Sequence, residues 1–195
     1  MPIVAILLVV LAAAWRVLAV HAPELGNFCP LVAVAFCGGV YFRRRWLWAI
    51  PFLALALSDL YLDHYYLVQF HYQFGLAGAL LRLGCFGVAL AMGRWVAGRR
   101  SWPLLASGTL ASSLFFYLVT NTASWASDQG YAHTAAGWWQ ALTVGHPQFA
   151  PTLVFFRHSL ASDLLFTVGF ALILEALALR RGEPSLLGAP KASAP

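Results

Sequence analysis

The sequence predicts an all-α fold: a polytopic membrane bundle of about six transmembrane helices, with both termini in the cytoplasm. Three observations predict it. Of 195 residues, 61% are hydrophobic and only 10% are charged, whereas a soluble domain carries about 25% charged residues. Mean hydropathy is +0.74, and the apolar residues form runs of about bilayer length. Nine of the twelve Lys and Arg residues fall at connections that alternate along the chain and so share one side.

Spanning a bilayer takes about 20 apolar residues. The first run covers residues 3–20. It resembles a signal peptide, but no basic residue precedes it and Arg16 interrupts it, so it is read as a retained first helix. A short second run extends from Pro30 to Phe42, with Gly26-Asn27-Phe28-Cys29 before it and the Pro suited to a first helical turn. Further runs cover residues 46–62, 74–97, 102–120 and 152–179. Residues 121–151, rich in Trp, Gly and His, show no clean period and are too polar to span. Residues 1–182 form one transmembrane domain in this reading. Residues 183–195, with Pro184, Pro190 and Pro195, form a disordered cytoplasmic tail.

Arg43, Arg44 and Arg45 join the second and third runs. Arg94, Arg99 and Arg100 flank the next inner connection, and Arg180, Arg181 and Lys191 follow the last run. Basic residues mark the cytoplasmic side, so the net charge of +5 is topological and points to no nucleic acid. The expected location is a bacterial inner membrane, crossed several times. All six histidines (His21, His64, His71, His133, His146, His158) fall toward the opposite face.

Three arginines and two aspartates stand out within spans or at their outer ends: Arg16, Arg82, Arg157, Asp59 and Asp163. A charge at a helix centre costs at least about 2.5–3.5 kcal/mol, so such residues face the bundle interior, pair, or mark a site. Asp59 and Arg82 reach similar depth and are expected to belong to one network. Arg157 and Asp163 share the outer half of the last helix. Either pair can bind ligand or only fix packing. The second span is too short for the bilayer, as are helices that line a cavity; a tilted helix capped by Asn27 is the plainer alternative. Aromatic residues among polar ones, Trp125, Tyr131 and Trp138 beside Asn121 and His133, suit either an interfacial belt or a pocket wall. The candidate substrate-binding set is Asn27, Phe28, Asp59, Arg82, Asn121, Trp125, Tyr131, His133, Trp138, Arg157 and Asp163. No catalytic motif, cofactor fingerprint or diagnostic metal spacing occurs. Cys29, Cys37 and Cys85 lie in or beside apolar runs without CxxC spacing.

The order of Asn27-Phe28-Cys29-Pro30-Leu31, Gly38-Gly39-Val40-Tyr41-Phe42, Pro51, Ser58-Asp59-Leu60, Thr120-Asn121, Trp125, Tyr131, Thr134, Gly137 and the run from Phe155 to Asp163 resembles a widespread bacterial membrane-protein family of unknown function, described at most as transport proteins. The match extends over about residues 27–170. Three positions depart from the family's pattern: Cys29 stands for Thr, His158 for Asn and Ser162 for Gly. More distantly, the layout is similar to the S components of energy-coupling-factor transporters. That resemblance implies capture of a small micronutrient at the outer face and delivery through a transmembrane coupling subunit with ATPases. It also implies docking through small residues of the first helix, where Ala12, Ala13 and Ala14 stand. The chain has no Walker motif, so ATP hydrolysis would belong to those partners. The expected partners are thus the lipid bilayer, a small-molecule ligand and such a coupling complex. The alternative function is a non-catalytic accessory subunit of a larger membrane complex.

Overall fold

The computed structural model describes residues 2–22, 28–71, 75–99, 101–147, 149–183 and 185. Asn27 and nearly all of the expected tail lie outside them. The described residues form α1 (Pro2–Ala19), α2 (Leu31–Tyr41), a 3-10 turn (Arg45–Trp48), α3 (Ala49–Phe70), α4 (Leu76–Ala97), α5 (Trp102–Ser127), α6 (Ala135–Leu142) and α7 (Thr152–Arg180), with no strand among them. Four helical stretches, Arg45–Gln69, Leu76–Ala97, Trp102–Ser127 and Thr152–Arg180, are long and apolar enough to cross a membrane. α1 and α2 are apolar but shorter. The chain is a helical membrane protein.

The outward faces carry large apolar side chains at helical spacing: Ile3, Leu7, Leu11 and Leu18 on α1, and Leu165, Leu172 and Leu179 on α7. In water these would be a liability; against lipid they are the ordinary solvent-facing surface. With lipid tails as apolar as leucine, helix association rests on close packing and polar contacts. The close packing is concentrated on α2.

α2 has 11 residues and rises only about 16 Å. It is buried from Val32 to Tyr41, and it packs on α1, α3, α4, α5 and α7, most heavily on α4. A Cβ at Gly39 would strike the Leu90 carbonyl oxygen of α4, and one at Gly93 would strike the Phe36 carbonyl oxygen of α2. The two backbones therefore touch where both helices carry glycine. Beyond α2, the Trp48 indole donates to the Phe42 carbonyl at 2.8 Å and fixes the turn into α3.

Two helices outrun the expected spans. α3 continues past Leu62 through Asp63, His64, Tyr65 and Tyr66, and ends at His71, which adopts φ 54° while its N–H bonds the Leu67 carbonyl at 3.1 Å. α5 continues through Thr120, Asn121 and Thr122. The first two turn their polar atoms back onto their own helix, Thr120 Oγ1 to the Phe116 carbonyl and Asn121 Nδ2 to the Tyr117 carbonyl, each at 2.8 Å. Such bonding hides polarity that reads as loop in the sequence. The stretch expected to lack regular structure also contains α6, whose cap residue Thr134 accepts the Gly137 N–H at 3.2 Å. α6 ends in a turn through Gly145 (φ 78°), whose N–H returns to the Gln140 carbonyl at 2.7 Å.

Candidate functional site

Polar side chains gather in two places inside the bundle. The first is a charge cluster between α1, α3 and α4. Arg16 Nη2 lies 2.5 Å from Asp59 Oδ1, and Arg16 Nη1 donates to Ser58 Oγ at 2.7 Å. Arg82 Nε donates to Asp59 Oδ2 at 3.3 Å and its Nη2 lies 3.7 Å from Asp63. The expected Asp59–Arg82 pairing is present, with Arg16 as a closer partner than Arg82. Two cations thus face two carboxylates. Neither Asp59 nor Arg82 borders the cavity described below. Phe28 lies near this cluster, its carbonyl taking the Trp15 indole N–H at 2.9 Å.

The second gathering surrounds the start of α2. Asp163 on α7 is 1% exposed. Its Oδ1 accepts the backbone N–H groups of Val32 at 3.1 Å and Ala33 at 2.9 Å, and its Oδ2 accepts the Ser113 hydroxyl from α5 at 2.7 Å. The helix residue at the start of α2, Pro30, offers no capping side chain. A carboxylate from α7 therefore does from a distance what an N-cap Asp does locally: it satisfies two orphan donors and meets the positive end of the helix dipole. Among the described residues no Lys or Arg pairs with Asp163, in contrast to Asp59.

Above Asp163 opens a cavity of 280 Å³ between α5, α7 and the N-terminus of α2. Aromatic walls come from Phe116, Phe149, Phe155 and Phe156. Polar groups come from Ser113, Thr120 and Asn121 on α5 and from Ser159 and Asp163 on α7, with Tyr131 and His146 contributed by the connection between those helices. Tyr117 stacks on Phe156 at 4.3 Å and donates its hydroxyl to the Leu142 carbonyl, which ties α6 to the cavity wall. Tyr131 meets His146 edge to face at 6.1 Å. Burial, with Asp128 nearby, pushes the Tyr131 phenol up, so it stays a neutral hydroxyl.

Of the expected binding residues, this cavity brings together Asn121, Tyr131 and Asp163. Arg157 is a correction to the expected shared cavity. It lies exposed on α7, because six residues turn a helix through about 240° net and point Arg157 away from Asp163. Near the outer end of the helix its guanidinium can reach headgroups. Trp125, His133 and Trp138 are also off the cavity. The Trp125 indole donates to the Ala132 carbonyl at 3.0 Å, His133 meets the Trp125 ring edge to face at 5.8 Å, and the Trp138 indole donates to Thr122 Oγ1 at 3.0 Å. These three fold the α5–α6 connection back over the end of α5. Asn27 lies outside the described residues. Ser113, Tyr117 and Ser159 are cavity residues that sequence reading missed; the signal was their four-residue spacing with Asn121 and Asp163. Among the described residues no three His, Cys, Asp or Glu side chains group as metal ligands do. The three cysteines are buried free thiols.

The chain matches the family described as a family of unknown function (DUF6580) over residues 1–186, and it belongs to that family. The family therefore extends over α1 and beyond α7, farther than residues 27–170. Neither a curated protein nor a solved structure matches the chain.

Proposed function

We propose that this chain is a membrane transport protein that captures a small solute in the cavity between α5, α7 and the start of α2, from the face opposite the arginine-rich connections. The observation that carries the reading is Asp163: a buried carboxylate bordering a cavity, held by dipoles and one hydroxyl, with no cation beside it among the described residues. Ionisable groups inside a bundle that border a cavity mark solute or ion pathways. Aromatic walls with a few convergent polar groups are what a small-molecule site needs, and this volume lies at the small end of such sites.

The lining also narrows the solute. With Arg157 outside and Asp163 inside, the cavity suits a neutral or cationic hydrogen-bonding molecule with a flat apolar face, rather than a carboxylate or phosphate. The reading assigns no catalytic residue. It places the chain in a bacterial inner membrane, with both termini and the basic connections in the cytoplasm. The similarity to S components adds an ATPase-coupled partner docked on small residues of α1. Of Ala12, Ala13 and Ala14, however, only Ala14 is exposed, Ala13 being half-buried and Ala12 buried, and the outward face is otherwise carried by the large side chains of Leu7, Leu11, Trp15 and Leu18. That face suits lipid better than a closely docked helix, so the reading rests on capture and not on ATPase coupling.

Native mass spectrometry of the gently purified chain tests the reading. The expected result is a retained small molecule that is lost in Asn121→Leu, with thermal stability of the protein kept. Retention of a protein partner and no small molecule would overturn capture in favour of an accessory subunit.

A further inference from the structure

Polar positions recur every four residues on the three helices that meet behind the cavity. On α7 they are Ser159, Asp163, Thr167 and, two turns on, Glu175; on α5 they are Asn121, Tyr117, Ser113 and Thr109; on α2 they are Cys37 and Tyr41. Four-residue spacing stacks side chains along one face of a helix, and the three faces meet. Ser113 bonds Asp163 at 2.7 Å. One turn deeper, Thr109 Oγ1 donates to Thr167 Oγ1 at 3.3 Å and the Cys37 thiol to the same oxygen at 3.8 Å. Beyond them Tyr41 is buried with no hydrogen-bond partner for its hydroxyl among the described residues. Glu175 follows, 7% exposed, bonded by Ser185 Oγ at 2.5 Å, five residues before Arg180 of the basic face. The twelve residues from Asp163 to Glu175 rise about 18 Å.

We infer that this seam is a proton path, with Asp163 binding a proton from the cavity and Glu175 exchanging it with the basic face. Packing alone does not call for two carboxylates on one buried stripe, when each is costly in a membrane interior. The Asp163 geometry leaves room for one proton. Two backbone N–H groups occupy Oδ1, while among the described residues Oδ2 accepts only the Ser113 hydroxyl, which leaves a lone pair for a proton. A proton taken from hydronium in the cavity leaves neutral water behind and forms the O–H bond at Oδ2. The Thr167, Thr109 and Cys37 groups, each both donor and acceptor, can pass one proton on while receiving another. Tyr41, whose hydroxyl bonds none of the described residues, stands between them and Glu175, and water must carry the proton across the gaps from Asp163 to Thr167 and on either side of Tyr41. Among the described residues, the titratable groups around Asp163 are Cys37 on α2, Cys29 ahead of it, Tyr117 on α5, and Tyr131 and His146 across the cavity, and Tyr41 lies near Glu175. The path does not depend on which solute, if any, the cavity takes.

The test uses the full chain reconstituted in phosphatidylethanolamine–phosphatidylglycerol vesicles. Infrared difference spectra between acid and alkaline pH should contain, among the bands of the seven Asp and Glu side chains, one protonated-carboxyl band that Asp163→Asn removes and another that Glu175→Gln removes. Carbon-13 labelling of Asp in the unaltered chain should shift the Asp163 band and leave the Glu175 band in place. With a pH dye inside the vesicles and an imposed membrane potential, the unaltered chain should carry protons. Thr167→Val, which keeps the shape, should slow that flux by about a hundredfold or more. An Asp163 carboxylate that stays ionised throughout would overturn the proton site, and titrating bands without flux would overturn the path. Either failure would leave solute retention by the cavity untouched.

Discussion

Arg16 and Asp59 lie 2.5 Å apart across the α1–α3 interface, each side chain about nine-tenths buried. Arg82 approaches the other carboxylate oxygen from α4, so one Asp neutralises the nearest atoms of two guanidinium groups. Three helices are tied through a single side chain.

The first prediction concerns what happens when that side chain loses its charge. Removing one member of a buried ion pair costs about 3–5 kcal/mol, because the partner stays buried and unpaired. Asp59→Asn takes the only carboxylate beside Arg16 among the described residues and leaves Arg82 the more distant Asp63, so it should cost more than Arg82→Gln, which leaves the Arg16–Asp59 pair in place. Thermal unfolding in detergent should rank them in that order. The Arg16→Gln/Asp59→Asn double variant should lose less than the sum of its single changes. Strict additivity would mean the pair is not energetically coupled.

The glycine crossing makes a second prediction with its own control. Gly39→Ala or Gly93→Ala pushes a methyl into the carbonyl of the facing helix, and a backbone atom cannot swing aside as a side chain can. Each should cost about 3 kcal/mol or more, at or above the usual range for overpacking. Gly84→Ala and Gly87→Ala, on the same helix as Gly93, meet no atom within contact distance and should be neutral or slightly stabilising. Equal effects at all four sites would contradict the α2–α4 crossing.

Much of the architecture was legible because membrane helices are written in long apolar runs, and six of the seven α-helices among the described residues coincide with such runs. What stayed hidden followed from local bonding. Thr120 and Asn121 read as the end of a span, yet their side chains bond the preceding turn and α5 runs on to Ser127. α6, with eight residues, is too short to announce itself by hydropathy. In the site, Asp59 with Arg82 was accessible from depth alone. Arg157 with Asp163 was not, because closeness in sequence on a helix does not give a shared face. Glu175 was missed although it lies on the same four-residue stripe as Asp163, and Arg16 was taken as a residue of the helix end rather than as a partner of Asp59.

Asp163 gives a third prediction, in which two substitutions separate its roles. Asp163→Asn keeps an oxygen for the Val32 and Ala33 amides and should fold with only a modest loss. Asp163→Ala leaves both amides buried and unsatisfied, at about 1–3 kcal/mol each, and should lower stability by about 2–6 kcal/mol. Ser113→Ala removes a donor but strands no amide, so its cost should fall between the two. If Asn and Ala destabilise equally, the carboxylate is not capping α2.

The last prediction tests orientation, on which the outward-facing cavity depends. Basic residues concentrate at the connections after α2, after α4 and after α7, while the cavity opens at the opposite end, among residues of the α5–α7 connection. Since basic loops stay in the cytoplasm, single cysteines at positions 43–45 or 99–101 should react with impermeant thiol reagents only from the cytoplasmic side. Cysteines at 71 and at 128–146 should react only from outside. The native background is favourable, because Cys29, Cys37 and Cys85 are buried; the unaltered chain should label weakly from either side until it is unfolded. Intact cells, compared with inverted membrane vesicles, give the two sides. Labelling of both sets from the same side would refute an odd number of crossings between them. A reversed pattern would keep the bundle but turn the cavity toward the cytoplasm, which would make the captured solute an intracellular one and reverse the direction of the proton path.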